Sequence, residues 1–82
     1  MDNPIQKILD QNSLRQGELA IILNSSPERV SNYVTGAKKQ ITKKDLDAFA
    51  EIGFDVEKLQ AEYLAWQSEK RKKAISNFLS KK

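Results

Sequence analysis

The sequence predicts an all-α fold of five helices, the last of them extended. Three observations carry this expectation. Apolar residues recur at three- and four-residue spacing and nowhere alternate as half-buried strands do. Capping residues, two of them followed directly by proline, open successive segments. Glycine or asparagine closes most of those segments.

Asn3 followed by Pro4 marks the first start, with Gln6 in the place of a capping-box partner. Ile5, Ile8 and Leu9 give that helix, expected over 4–11, one apolar face. Ser13 with Gln16 repeats the capping pattern and opens a second helix, whose expected buried stripe is Leu19, Ile22 and Leu23 with small Ala20 beside it. Asn24 tolerates the left-handed backbone that ends helices, Ser26 can cap, and Pro27 fits a first helical position. A third helix over about 27–34 buries Val30 and Tyr33 and stops at Gly36. Residues 37–41 read as a short basic loop. Thr42 with Asp45 then opens a fourth helix bearing Leu46, Phe49, Ala50 and Ile52, closed by Gly53. Asp55 caps a fifth helix reaching to about Leu79.

Composition narrows the chemistry. A chain of 82 residues is expected to form a single small domain, burying only about 60–65% of its unfolded surface. There is no cysteine and no histidine, which removes thiolate chemistry, the commonest metal ligand and the commonest general base. No nucleophile–base pair, metal constellation or phosphate-cradling glycine loop is visible, so neither catalysis, a metal nor a cofactor is expected. No apolar run approaches a membrane span or a signal peptide, and the expected location is the cytoplasm. The net charge of +3 is unevenly spread: between residues 26 and 44 stand Arg29, Lys38, Lys39, Lys43 and Lys44 against Glu28 alone. A second cluster, Lys70, Arg71, Lys72 and Lys73, lies near the C-terminus. Clustered cations fit phosphate contact, and equally a solvated helix face or loop.

Two helices joined by a short turn, the second entered by Ser-Pro, suggest a helix-turn-helix. The segment 16–35 reads QGELAIILNSSPERVSNYVT. It resembles the lambda-repressor-like helix-turn-helix family of the Xre/Cro type, as do LRQGELAIIL at its opening, the stop at Thr35-Gly36 and DLDAFAEIG beyond. The resemblance covers about 5–59. Two residues depart from it: Asn24 stands where the family usually has glycine, and Gly17 where alanine is common.

The resemblance implies a double-stranded DNA operator as partner and a transcriptional regulator, expected as a repressor, with the third helix in the major groove. The base-reading residues would be Glu28, Arg29, Ser31 and Asn32. Arg29 suits guanine, Asn32 adenine and Glu28 the cytosine amino group. Glu28 has a second reading, as an acidic residue stabilising the helix N-terminus. Phosphate contacts would come from Gln16, Ser26, Lys38, Lys39, Gln40, Lys43 and Lys44; Gln16 is equally the capping partner of Ser13.

The expected organisation is a DNA-binding core over 1–54 and a C-terminal helix over 55–82. On that helix Leu59, Tyr63 and Trp66 share one face, expected against the core. Leu64, Ile75, Phe78 and Leu79 lie towards another, expected to hold a second copy in a homodimer or higher oligomer. Two alternatives stay open: an antitoxin-type regulator whose last helix binds a protein partner, and a helical interaction module that reads no DNA.

Overall fold

Local chain chemistry sets the element boundaries. In the computed structural model, which describes residues 2–81, the helices are α1 (Pro4–Gln11), α2 (Gln16–Ile22), α3 (Pro27–Thr35), α4 (Lys43–Glu51) and α5 (Val56–Ser80); the described residues include no strand. The two ends of the expected 1–54 and 55–82 segments lie outside the described residues. Asn3 caps α1 through Oδ1, which accepts from the Ile5 and Gln6 amides at 2.8 and 3.1 Å. Ser26, Thr42 and Asp55 cap α3, α4 and α5 in the same way.

Helix ends follow one rule three times. Ser13 (φ 53°), Asn24 (φ 51°) and Gly53 (φ 101°) each turn into the left-handed region. The next residue then returns its amide to a carbonyl five back: Leu14 to Leu9, Ser25 to Ala20 and Phe54 to Phe49, at 2.8, 2.8 and 3.0 Å. This corrects the expected start of α2. Ser13 is committed to ending α1 and cannot cap the next helix. Arg15 holds the cap position instead, and its amide donates to Glu18 Oε1 at 3.0 Å.

The core is built from every helix. Ile5, Ile8 and Leu9 of α1 meet Leu19, Ala20 and Leu23, then Val30, Tyr33, Phe49, Leu59 and Tyr63, all buried. Each such large side chain contributes about 1.5–3 kcal/mol on burial. The α2 and α3 helices pack chiefly on each other, while α5 lies against α1 and α4. Aromatic edges lock the centre, with Tyr33 on Tyr63 and Phe49 on Phe54.

Three expected core positions are corrected. Ile22 is 44% exposed, because α2 ends there and Leu23 takes the inward position. Ala50 on α4 and Ile52 just past its end are also exposed. Two residues that patterning did not mark as core are buried instead, Ile41 from the loop and Asp45 of α4. The α5 helix runs on past the core, and every described residue from Ser68 onward is exposed. Leu59, Tyr63 and Trp66 do pack on the domain.

Candidate nucleic-acid interface

The outward face of α3 is polar because its apolar residues all turn inward. Val30 and Tyr33 are buried, leaving Glu28 exposed and Arg29, Ser31 and Asn32 half-buried. Ser26 Oγ accepts the Arg29 amide at 3.2 Å, so the exposed serine expected at a phosphate also fixes the first turn. Glu28 stands in that first turn, where a negative charge complements the helix dipole.

Arg29 is drawn towards α4. Its Nη1 lies 3.7 Å from Asp45 Oδ2, with the arginine side chain 34% exposed and the aspartate fully buried. The same carboxylate oxygen accepts from the hydroxyls of Tyr33 and Thr42, while Oδ1 has no hydrogen-bond partner. Tyr33 Oη in turn accepts the Thr42 amide at 3.2 Å. Burial, and then the bond to Asp45, push the Tyr33 pKa above the ordinary tyrosine value. The guanidinium is thus paired through Nη1 while the side chain keeps a third of its surface exposed.

The far end of α3 is held by other helices. A helix leaves its last four carbonyls without intrahelical partners. Here Asn3 Nδ2 donates to the Tyr33 and Val34 carbonyls at 2.9 and 3.1 Å. Lys70 Nζ donates to that of Thr35, and Gln67 Nε2 to that of Gly36 at 2.9 Å. Gly36 itself turns left-handed at φ 86°, with Trp66 and Lys70 closing over it.

Beyond Gly36 the chain carries cations outward. Lys38 is half-buried; Lys39, Gln40, Lys43 and Lys44 are exposed. Lys43 and Lys44 begin α4, at the positive end of its dipole, where cations are unfavourable by about 0.3–1 kcal/mol each. Helix stability gives no reason for them there. Gln16, the first residue of α2, is half-buried and is not the capping partner of Ser13. These exposed and half-buried residues thus lie on α3, on the loop that follows it and at the start of α4, with Gln16 on α2, which packs against α3.

Sequence reasoning missed the groups that hold this surface in place: Asn3 as a clamp on α3, Asp45 as a buried anchor, and Gln60, Tyr63, Gln67 and Lys70 on α5. The last four recur at helical spacing along one face, a polar stripe where an apolar one continues the core, and that is the signal that could have found them. Leu64, Ile75, Phe78 and Leu79, expected to oligomerise, are all exposed. Among the described residues no helix is long and apolar enough to cross a membrane, and no group of three acidic side chains could hold a metal. No protein-family model, curated protein or solved structure matches the chain.

Proposed function

We propose that this chain is a sequence-specific, non-enzymatic regulator of transcription that binds double-stranded DNA, with α3 entering the major groove. The observation that supports this best is the pairing of α2 with an α3 whose outer face is polar, followed directly by a lysine-bearing loop. A base-reading helix needs donors on its exposed side and cations where the phosphates pass. Asn32, Ser31 and Glu28 supply the first on this reading, and Lys38, Lys39, Lys43 and Lys44 the second. Arg29, tethered at one edge by Asp45, presents its remaining donors to a guanine. The resemblance of 16–35 to lambda-repressor-like regulators points the same way and suggests repression. A second copy docked on Leu64, Ile75, Phe78 and Leu79 would let two α3 helices read half-sites about 34 Å apart.

Binding to duplexes covering the DNA around its own gene, at two salt concentrations and beside Arg29→Ala, tests the proposal. One duplex bound more tightly than the rest, with that preference reduced by Arg29→Ala, is the expected result. Discrimination carried by one good bidentate contact is about 1–3 kcal/mol, so its loss is roughly a 5- to 150-fold change. Sequence-blind binding that Arg29→Ala leaves unchanged refutes specific readout, and no binding at low salt refutes the DNA-binding reading itself.

A further inference from the structure

The lysine-bearing loop between α3 and α4 has no helix or strand of its own, yet three of its carbonyls, those of Gly36, Lys38 and Ile41, are held by α5. Gln67 Nε2 donates to the carbonyls of Gly36 and Lys38 at 2.9 and 2.6 Å. Tyr63 Oη donates to the Lys38 carbonyl at 2.6 Å. Gln60 brackets the loop's end, with Nε2 donating to the Ile41 carbonyl at 2.8 Å and Oε1 accepting its amide at 3.0 Å. The Lys38 amide donates back to Asn32 at 3.2 Å, so Lys38 is fixed through both its backbone groups. All of the α5 donors lie on one face of a single helix, 19 to 31 residues further along the chain.

This arrangement has two consequences for an anion approaching from solvent. The carbonyl oxygens of Gly36, Lys38 and Ile41, the negative ends of their peptide dipoles, are turned into the protein and away from the exposed Lys39 and Gln40. The loop is also ordered before any ligand arrives. Fixing a residue's backbone costs about 1–2 kcal/mol, and a loop already held does not incur that cost on binding.

We infer that Gln67 and Tyr63 are positioning residues for phosphate binding: from α5 they hold the loop in the one shape that presents Lys38 and Lys39 together to a nucleic-acid backbone. The inference rests on the proposed DNA binding and adds α5 to its machinery. Neither residue touches the phosphate; each acts through the loop's carbonyls.

The test uses the full chain and a mixed-sequence duplex of about three helical turns, so no operator is needed. Affinity is measured by fluorescence anisotropy across a salt series. Replacing Lys38 and Lys39 together by alanine should flatten the slope of log affinity on log salt by about 1.8, at roughly 0.9 per phosphate lost. Between 50 and 200 mM salt that is about a 12-fold smaller fall in affinity. Gln67→Met keeps the side chain's length and removes its donor; it should flatten the slope in the same direction. In the Lys38→Ala, Lys39→Ala background it should do nothing more, since the groups it positions are gone. A merely structural glutamine would lower the melting temperature and leave the slope alone. Tyr63→Phe, which keeps the buried ring, is the second variant should Gln67→Met not fold, and it should flatten the slope likewise. An unchanged slope in a folded Gln67→Met or Tyr63→Phe protein overturns the inference, as does equal flattening in both lysine backgrounds. A wild-type chain that fails to bind the duplex overturns the DNA-binding reading instead, and this inference with it.

Discussion

The chain's three glycines should respond to alanine in three different ways, and Gly36 decides the matter. Its φ of 86° already costs an L-residue about 1–2 kcal/mol. A Cβ there would stand 2.6 Å from Lys70 Nζ and 3.0 and 3.2 Å from two carbons of the Trp66 ring. Something must move. The mobile partner is Lys70, whose ammonium lies 5.2 Å from the Trp66 ring centroid and donates to the Thr35 carbonyl. Displacing it forfeits the contact with the ring, worth about 0.5–1 kcal/mol at an exposed site. The sum for Gly36→Ala is about 1.5–3 kcal/mol. In a domain of this size that lowers the melting temperature by roughly 6–24 °C. Gly53 shares the left-handed backbone at φ 101° but has nothing within 4 Å of the added carbon, so Gly53→Ala should show the backbone cost alone. Gly17, inside α2 with open space around it, should gain up to about 1 kcal/mol on becoming alanine. Thermal unfolding followed by far-UV circular dichroism ranks the three variants. Gly36→Ala melting no lower than Gly53→Ala would refute the wedge between the loop and α5.

Replacing Lys43 and Lys44 by glutamine should raise stability by about 0.3–1 kcal/mol each, by relieving the α4 dipole, while weakening duplex binding; urea unfolding and anisotropy on one sample check the opposite signs. Alkali should destabilise the fold through the buried tyrosines, since burial raises the pKa of both Tyr33 and Tyr63. Their contribution is complete below the unfolded tyrosine value of about 10 and is lost as pH rises from there through the higher folded value, because the unfolded chain releases the protons first. Tyr63→Phe should make the measured loss of stability above pH 10 less steep. Removing residues 72–82 should leave the core's melting cooperative, and should abolish any dimer seen by sedimentation if Ile75, Phe78 and Leu79 hold it.

Much of the fold could be read directly because it is written in short-range chemistry. Asn3-Pro4, Ser26-Pro27, Thr42 and Asp55 act within one helical turn of themselves, and the structure puts a helix start at each. Ser13 was misread because two local rules compete for it. A serine before a helix can cap it or end the previous one, and the amide of Leu14 finding Leu9 decided for the ending. Ile52 lies past the end of α4, where periodicity runs on but the chain's direction does not, while Ile22, the last residue of α2, stands beside the buried Leu19 and Leu23. The candidate site was legible on α3 and its loop, whose residues are consecutive. Asp45 was legible only as a capping partner; its burial comes from the approach of Tyr33, twelve residues earlier. The hold on the loop was legible only as a stripe of polar residues on α5; what the stripe meets was not, because Gln67 reaches Gly36 across 31 residues and no local pattern encodes that pairing.

Asn3 shows what such a long-range pairing does to the molecule's motions. The oxygen of its side-chain amide closes the first turn of α1, and the nitrogen closes the last turn of α3. Helix ends normally fray one at a time and at little cost. Here neither end can loosen without withdrawing a partner from the other, so the two belong to one cooperative unit. Amide hydrogens at Ile5 and Gln6 should therefore exchange in step with that of Gly36, and an aspartate at position 3 should uncouple them. It would still cap α1, but it has no hydrogen to offer α3.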